Sequence, residues 1–179
     1  MNFLIRLAQG IDRLNDRIGR KIAWVALAMT GTQFVIVLMR YVFGANAIWM
    51  QESILYMHSV LFMLGAGYTL LHNGHVRIDI FYREVSPERK ALIDLIGVFV
   101  FLIPVCVALF IMAWPYVSAS WAVLEGSRET SGIQAIYLLK AVMLVFAVLL
   151  VFQGISMAIH ALAVLAGRET TQLEQPRKL

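Results

Sequence analysis

The residues that could do chemistry in this chain are few: four histidines, one cysteine and a handful of carboxylates. A pair of histidines facing each other across membrane helices is one way a protein holds haem iron. His58 and His160 do not qualify as such a pair: counted from the edges of their apolar runs, they differ in depth by about 15 Å at 1.5 Å per residue, and two ligands of one iron must be level. His72 and His160 lie closer in depth and stay open as a pair, while His72 and His75 read as interfacial. Ser59 follows His58 directly, so the two point to different sides of a helix, and no glycine-framed serine is present to serve as a nucleophile. Cys106 stands alone in an apolar run, which excludes an internal disulfide and a cysteine cage for a metal. The expectation is therefore no catalytic residue, no metal and no cofactor.

The elements that would position these side chains are membrane helices. Hydrophobic residues make up 60% of the chain and charged residues only 15%, where a soluble domain carries roughly 25%. Four apolar runs stand between charged breaks: Ile22 to Met39, Ser53 to Leu71, Leu95 to Leu124 and Ala141 to Leu165. Each is long enough for a bilayer core, which takes roughly 17–25 residues. The third is longer than needed and contains Pro104 and Pro115, which predicts a tilt, a kink or a projection beyond the membrane. The first run is not a cleavable signal, because its polar leader is long and three further spans follow.

Charge placement sets the expected orientation. Arg6, Arg13, Arg17, Arg20 and Lys21 precede the first run, Arg77, Arg83, Arg89 and Lys90 lie between the second and third, and Arg168, Arg177 and Lys178 end the chain. The other side holds Arg40, Arg128 and Lys140. Both termini and the middle loop are thus expected in the cytoplasm. The formal charge of +4 reads as membrane placement and not as nucleic-acid binding.

Three regions result: an amphipathic cytoplasmic-face helix over 1–21, a four-helix transmembrane domain over 22–165 and a cytoplasmic tail over 166–179. In the first, Leu4, Leu7, Ile11, Leu14, Ile18 and Ile22 recur on one helical face with charges on the others, and Gly10 and Gly19 are candidate bends before span one. Ser86-Pro87-Glu88 reads as a helix start, with serine at the N-cap, proline first and an acid in the first turn. Residues 125–132 form a turn-rich loop. Arg40, Glu52, Asp94, Glu125 and Lys140 all sit at span edges, so no charge marks a midplane pathway for an ion. Gly31, Gly65 and Gly67 would let helices approach closely, and Gln33, Gln153 and Ser156 could hydrogen-bond between helices.

The succession Arg40-Tyr41-Val42-Phe43-Gly44, Trp49-Met50-Gln51-Glu52, Leu64-Gly65-Ala66-Gly67-Tyr68 and His75-Val76-Arg77-Ile78-Asp79 resembles the small membrane subunit, the Q subunit, of tripartite ATP-independent periplasmic (TRAP) transporters. The likeness covers most of the chain, from Ile22 to Leu165. It implies an all-α membrane protein that braces a large elevator-type subunit, with a periplasmic substrate-binding protein and membrane lipids as further partners. Sodium-coupled uptake of an organic acid would follow; residues His75 to Tyr82, Ser86-Pro87 and Trp121, Glu125, Ser127, Gly132 look most like the branch linked to 2-oxo acids, related monocarboxylates, or mannitol and chloroaromatic compounds.

Carried onto this chain, the resemblance makes Arg40, Trp49, Glu52, Gly65, Gly67, His75, Arg77 and Asp79 candidates for a partner or lipid interface, with Arg40 and Glu52 able to pair with each other or with the partner. Asn46, Glu125, Ser127, Arg128 and Glu129 are candidates for docking the binding protein. Two readings compete: a haem- or quinone-binding anchor of a redox enzyme, and a small exporter acting as a homodimer, against which the missing midplane acid speaks.

Overall fold

A computed structural model describes residues 2–75 and 85–167. Arg77, Asp79 and the 168–179 tail lie outside the described residues. Among the described residues the structure is helical, without strands. It has four helical spans long and apolar enough to cross a membrane. That is the backbone solution lipid demands, since a helix satisfies its own N–H and C=O groups where no water can.

The first span is α1 (Asn2–Tyr41). Its 40 residues reach about 60 Å, twice a bilayer core. The amphipathic segment and the first apolar run are one continuous helix: neither Gly10 nor Gly19 interrupts it. α2 (Ile48–Leu71) returns antiparallel to α1. The third span is compound. α3 (Pro87–Gly97) starts with Ser86 in the N-cap position and Pro87 and Glu88 in the first turn, although the serine hydroxyl makes no capping bond to the backbone. A π-helical turn follows over Val98–Leu102, and then α4 (Ile103–Ala122). The π turn has a visible cause in Pro104, which has no N–H to donate and whose ring would crowd the preceding turn; Ile103 N–H instead reaches back to Val98 O. α5 (Ile136–Leu165) is the last helix among the described residues.

The helices form an open layer around α5. That helix packs against α1, α2, α3 and α4, whereas α3 and α4 touch neither α1 nor α2 among the described residues. Burial follows the topology: 39% of the most apolar window of α5 is buried, against 6% for α1 and for α2. Small residues make this possible. Ala147, Gly154, Ala158, Ala161 and Ala163 are buried along α5, and Gly154 admits the third span so closely that a Cβ there would stand 2.7 Å from Leu102 Cδ2.

Helix ends use left-handed residues. Asn73 (φ 52°) and Leu124 (φ 47°) terminate α2 and α4, with Gly74 N–H bonded to Thr69 O at 2.8 Å and Glu125 N–H to Ser120 O at 3.0 Å. These are Schellman closures. At the α1–α2 hairpin Gly44 (φ 63°) supplies the same freedom without a side chain.

Candidate functional site

Two polar clusters stand at opposite ends of this layer. The first joins the N-terminal half of α1 to α5. Asp12 Oδ1 accepts hydrogen bonds from Ser156 Oγ at 2.6 Å and Gln153 Nε2 at 3.1 Å. Its Oδ2 accepts from His160 Nε2 at 3.0 Å. One turn on, Asn15 Nδ2 donates to Gln153 Oε1 at 2.8 Å. Asn15 and Ser156 are fully buried, and Gln153 is 1% exposed. Polar groups this buried are tolerated because they bond to one another. Asn15 also lies over Gly67 of α2, where a Cβ would come 2.6 Å from Asn15 Oδ1, so three helices meet at this level.

A second layer continues the cluster outward. His72 Nε2 lies 3.2 Å from Asp16 Oδ1, and Arg20 pairs with Asp16 Oδ2. The Tyr68 ring stacks at a tilt 4.3 Å from His72. It also lies close against Gly19, where a Cβ would meet Tyr68 Cγ at 2.2 Å. Along α2, Gly67 is about 28 Å from Ile48, so the clamp sits one bilayer thickness from the hairpin end.

The second cluster is at the end formed by loops 42–47 and 123–135. Glu52 of α2 binds across to the second loop: Ser127 Oγ donates to Oε1, and Ile133 N–H donates to Oε2 at 2.6 Å. Ser127 Oγ in turn accepts from Glu129 N–H at 3.1 Å. Gly132 fits where a Cβ would stand 2.6 Å from Glu52 Oε2. Glu125 pairs with Lys140 of α5, and the Lys140 ammonium rests 3.9 Å from the centroid of the Tyr116 ring. The Lys140 partner holds the Glu125 carboxyl below its ordinary range. Trp121 meets Tyr137 edge to face at 4.9 Å.

The residues singled out from the sequence fall into three groups. Glu52, Glu125 and Ser127 are committed inside the chain, and Asn46 Oδ1 accepts from Gln51 Nε2 at 2.6 Å. Arg40, Arg128 and Glu129 are exposed, as is Trp49 at 55%. Glu52 does not pair with Arg40; it holds the loop at 127–133 instead. Gly67 makes a close approach, but Gly65, like Gly31, faces open space within the chain. His75 ends the described segment and is exposed.

The sequence reading missed the clamp, though it had marked Gln153 and Ser156 as interhelical donors. The overlooked signal is the stripe Ala8, Asp12, Asn15, Gly19, Ile22, spaced by four and three, which is the buried face of α1. The apolar stripe chosen instead flanks that face and joins it at Ile22: Leu4, Leu7 and Leu14 are exposed, Ile11 and Ile18 half-buried and Ile22 buried. The histidines weighed as haem ligands, His72 and His160, are each engaged by an aspartate of α1.

Residues 29–170 match the family described as tripartite ATP-independent periplasmic transporters, DctQ component. The chain belongs to this DctQ family. It is also similar to the C4-dicarboxylate TRAP transporter small permease protein DctQ of Vibrio cholerae serotype O1, with 27% identity over 111 residues. That alignment covers 62% of this chain and 46% of the relative, so the chain spans about half the length of the curated protein it matches. No solved structure matches it. The loop-end cluster and the α2 and α5 halves of the clamp fall within the DctQ match, whereas Asp12 and Asn15 precede it.

Proposed function

We propose that this DctQ-family chain is a non-catalytic brace: it packs on the large elevator-type subunit of a TRAP transporter and widens that subunit's fixed scaffold in the membrane. The observation that carries this reading is the open layer. Three of the four spans turn most of their apolar length outward, and α5, which packs against the others, is the most buried. Such a layer has broad faces for another membrane protein, while its buried polar groups are used to tie its own helices together.

In this reading the N-terminal end lies in the cytoplasm and the loop end in the periplasm, as the basic residues indicate. Gly65 and Arg40 face the large subunit or lipid, and Arg77 and Asp79 fix the cytoplasmic loop. The periplasmic binding protein docks at the loop end. With Glu125 and Ser127 half-buried and engaged internally, the docking side chains narrow to the exposed Arg128 and Glu129 and to Asn46, which is exposed although it accepts from Gln51. The transported solute is an organic acid moved with sodium, and the loop resemblance favours a 2-oxo acid or related monocarboxylate. The printed name of the Vibrio relative specifies C4-dicarboxylates for that protein; substrate choice belongs to the binding protein and the large subunit.

Co-expression of the tagged chain with the large membrane protein encoded beside it tests the reading. A stable one-to-one complex in mild detergent, active in sodium-dependent uptake once the binding protein is added, is the expected result. A chain that purifies alone, with a Soret band, would overturn it in favour of a redox anchor.

A further inference from the structure

The face of α1 opposite the clamp is left unexplained by the brace. Arg13, Arg17, Arg20 and Trp24 follow one another at steps of four and three, so they share one side of the helix. That side is turned away from the buried stripe of Ala8, Asp12, Asn15, Gly19 and Ile22. Arg13, Asp16, Arg17, Arg20 and Lys21 line a recess of about 490 Å³. Its single carboxylate is occupied, since Asp16 is held by Arg20 and His72. Arg13, Arg17 and Lys21 are exposed and form no ion pair among the described residues.

Below this basic recess the same side of α1 becomes apolar. Trp24 is 73% exposed, Leu27 64% and Phe34 63%. Between Leu27 and Phe34 stands Gly31, where an added Cβ would meet nothing within 4 Å. The glycine leaves a notch in an otherwise bulky track. From the N-terminal end inward, the order is cations, an amphipathic indole, then an apolar groove. A phospholipid presents the same order: phosphate, glycerol ester, acyl chain.

We propose that this face of α1 is a binding site for an anionic phospholipid, with the phosphate among Arg13, Arg17 and Lys21, the glycerol region against Trp24, and one acyl chain along Leu27, Gly31 and Phe34. Arginine suits the headgroup because its planar fork can bind two phosphate oxygens at once. The excess of cations over the one engaged acid selects against zwitterionic lipid. The site does not depend on the transporter reading, because it needs only the membrane placement of α1.

The test uses the full-length chain reconstituted in phosphatidylcholine bilayers, with part of the lipid replaced by brominated phosphatidylglycerol or brominated phosphatidylcholine. Bromine quenches a tryptophan it touches, and subtracting the Trp24→Phe variant isolates the Trp24 signal. Each cation at an anionic surface contributes about a fivefold factor, so a preference for phosphatidylglycerol of at least about fivefold is expected. The R13Q/R17Q/K21Q variant should bring the ratio near one with helicity unchanged. If that variant does not insert, R17Q and K21Q singly should each lower the preference at least about twofold. A wild-type ratio near one, or an unchanged ratio in the variants, would overturn the proposal. So would displacement by inorganic phosphate, which would make this a soluble-anion site. Loss of Trp24 quenching on co-assembly with the large subunit would mean that protein covers this face.

Discussion

Replacing Asp12 with alanine removes the acceptor on which three α5 donors converge: Ser156, Gln153 and His160. Interhelical bonds in membranes average about 0.6 kcal/mol and hydrogen bonds to a charged group contribute at least about 1.5 kcal/mol in water-soluble proteins, so three of them give a loss of about 2 kcal/mol on the first figure and about 4.5 kcal/mol on the second. The larger end is favoured because Ser156 and Gln153 are buried and have no water to turn to. Asp12→Asn is the graded control. Its remaining Oδ1 can keep both Ser156 and Gln153, and only the His160 bond at Oδ2 is exchanged, so about 1 kcal/mol should be lost. Reversible unfolding in mixed micelles gives the stability, and trypsin cleavage at Arg13 and Arg17 reports whether the first half of α1 has come away from α5. If Asp12→Ala stays within about 0.5 kcal/mol of wild type and cleavage does not rise, the clamp does not hold α1.

Three further outcomes follow from the packing. Gly67→Ala should displace Asn15 from Gln153, since the new methyl would overlap Asn15 Oδ1, and lower stability by about 1–3 kcal/mol in the same unfolding assay. A Cβ at Gly65 meets nothing within 4 Å, so Gly65→Leu should change the chain's own stability little while reducing co-purification with the large subunit; intact co-purification would remove Gly65 from the proposed interface. Glu52→Ala should free the 123–135 loop and speed its hydrogen exchange, because both Ser127 and the Ile133 N–H lose their acceptor. The Glu125–Lys140 pair gives a pH dependence of known sign: a carboxyl held low by its partner stabilises above its unfolded pKa, and that contribution fades as pH falls through the lowered native value. Acid should therefore loosen the loop end in the wild type, measured by hydrogen exchange at Glu125 to Tyr137, and Lys140→Met should flatten that response.

The spans were legible because lipid imposes a composition and a length that ordinary folding does not. The start of α3 was legible for a local reason: Ser86-Pro87-Glu88 is a chemical signal for a helix N-terminus. The clamp was not, because its partners are far apart in sequence and its stripe on α1 mixes Ala8, Asp12, Asn15, Gly19 and Ile22, residues that no hydropathy pattern groups together. The leucines of the same helix give a clean amphipathic period, yet Leu4, Leu7 and Leu14 are exposed. That period marks an apolar side the chain itself does not cover, while the side that packs carries Asp12 and Asn15. Gly65 and Gly67 show the same limit: they are near neighbours in sequence, but only the second meets another helix of this chain.

The clamp also bears on how the protein is made. Asn15 and Gln153 are 138 residues apart, and Asp12 and His160 are 148 apart. A ribosome releases the first of each pair long before the second exists. Until α5 enters the membrane, Asp12 and Asn15 have none of the hydrogen-bond partners they end with, and α1 has only its packing on α2. α5 thus completes the clamp: a chain that stops short of Gln153 would present an unanswered acid and amide on α1, a chemical mark by which a chain lacking α5 differs from one that has it.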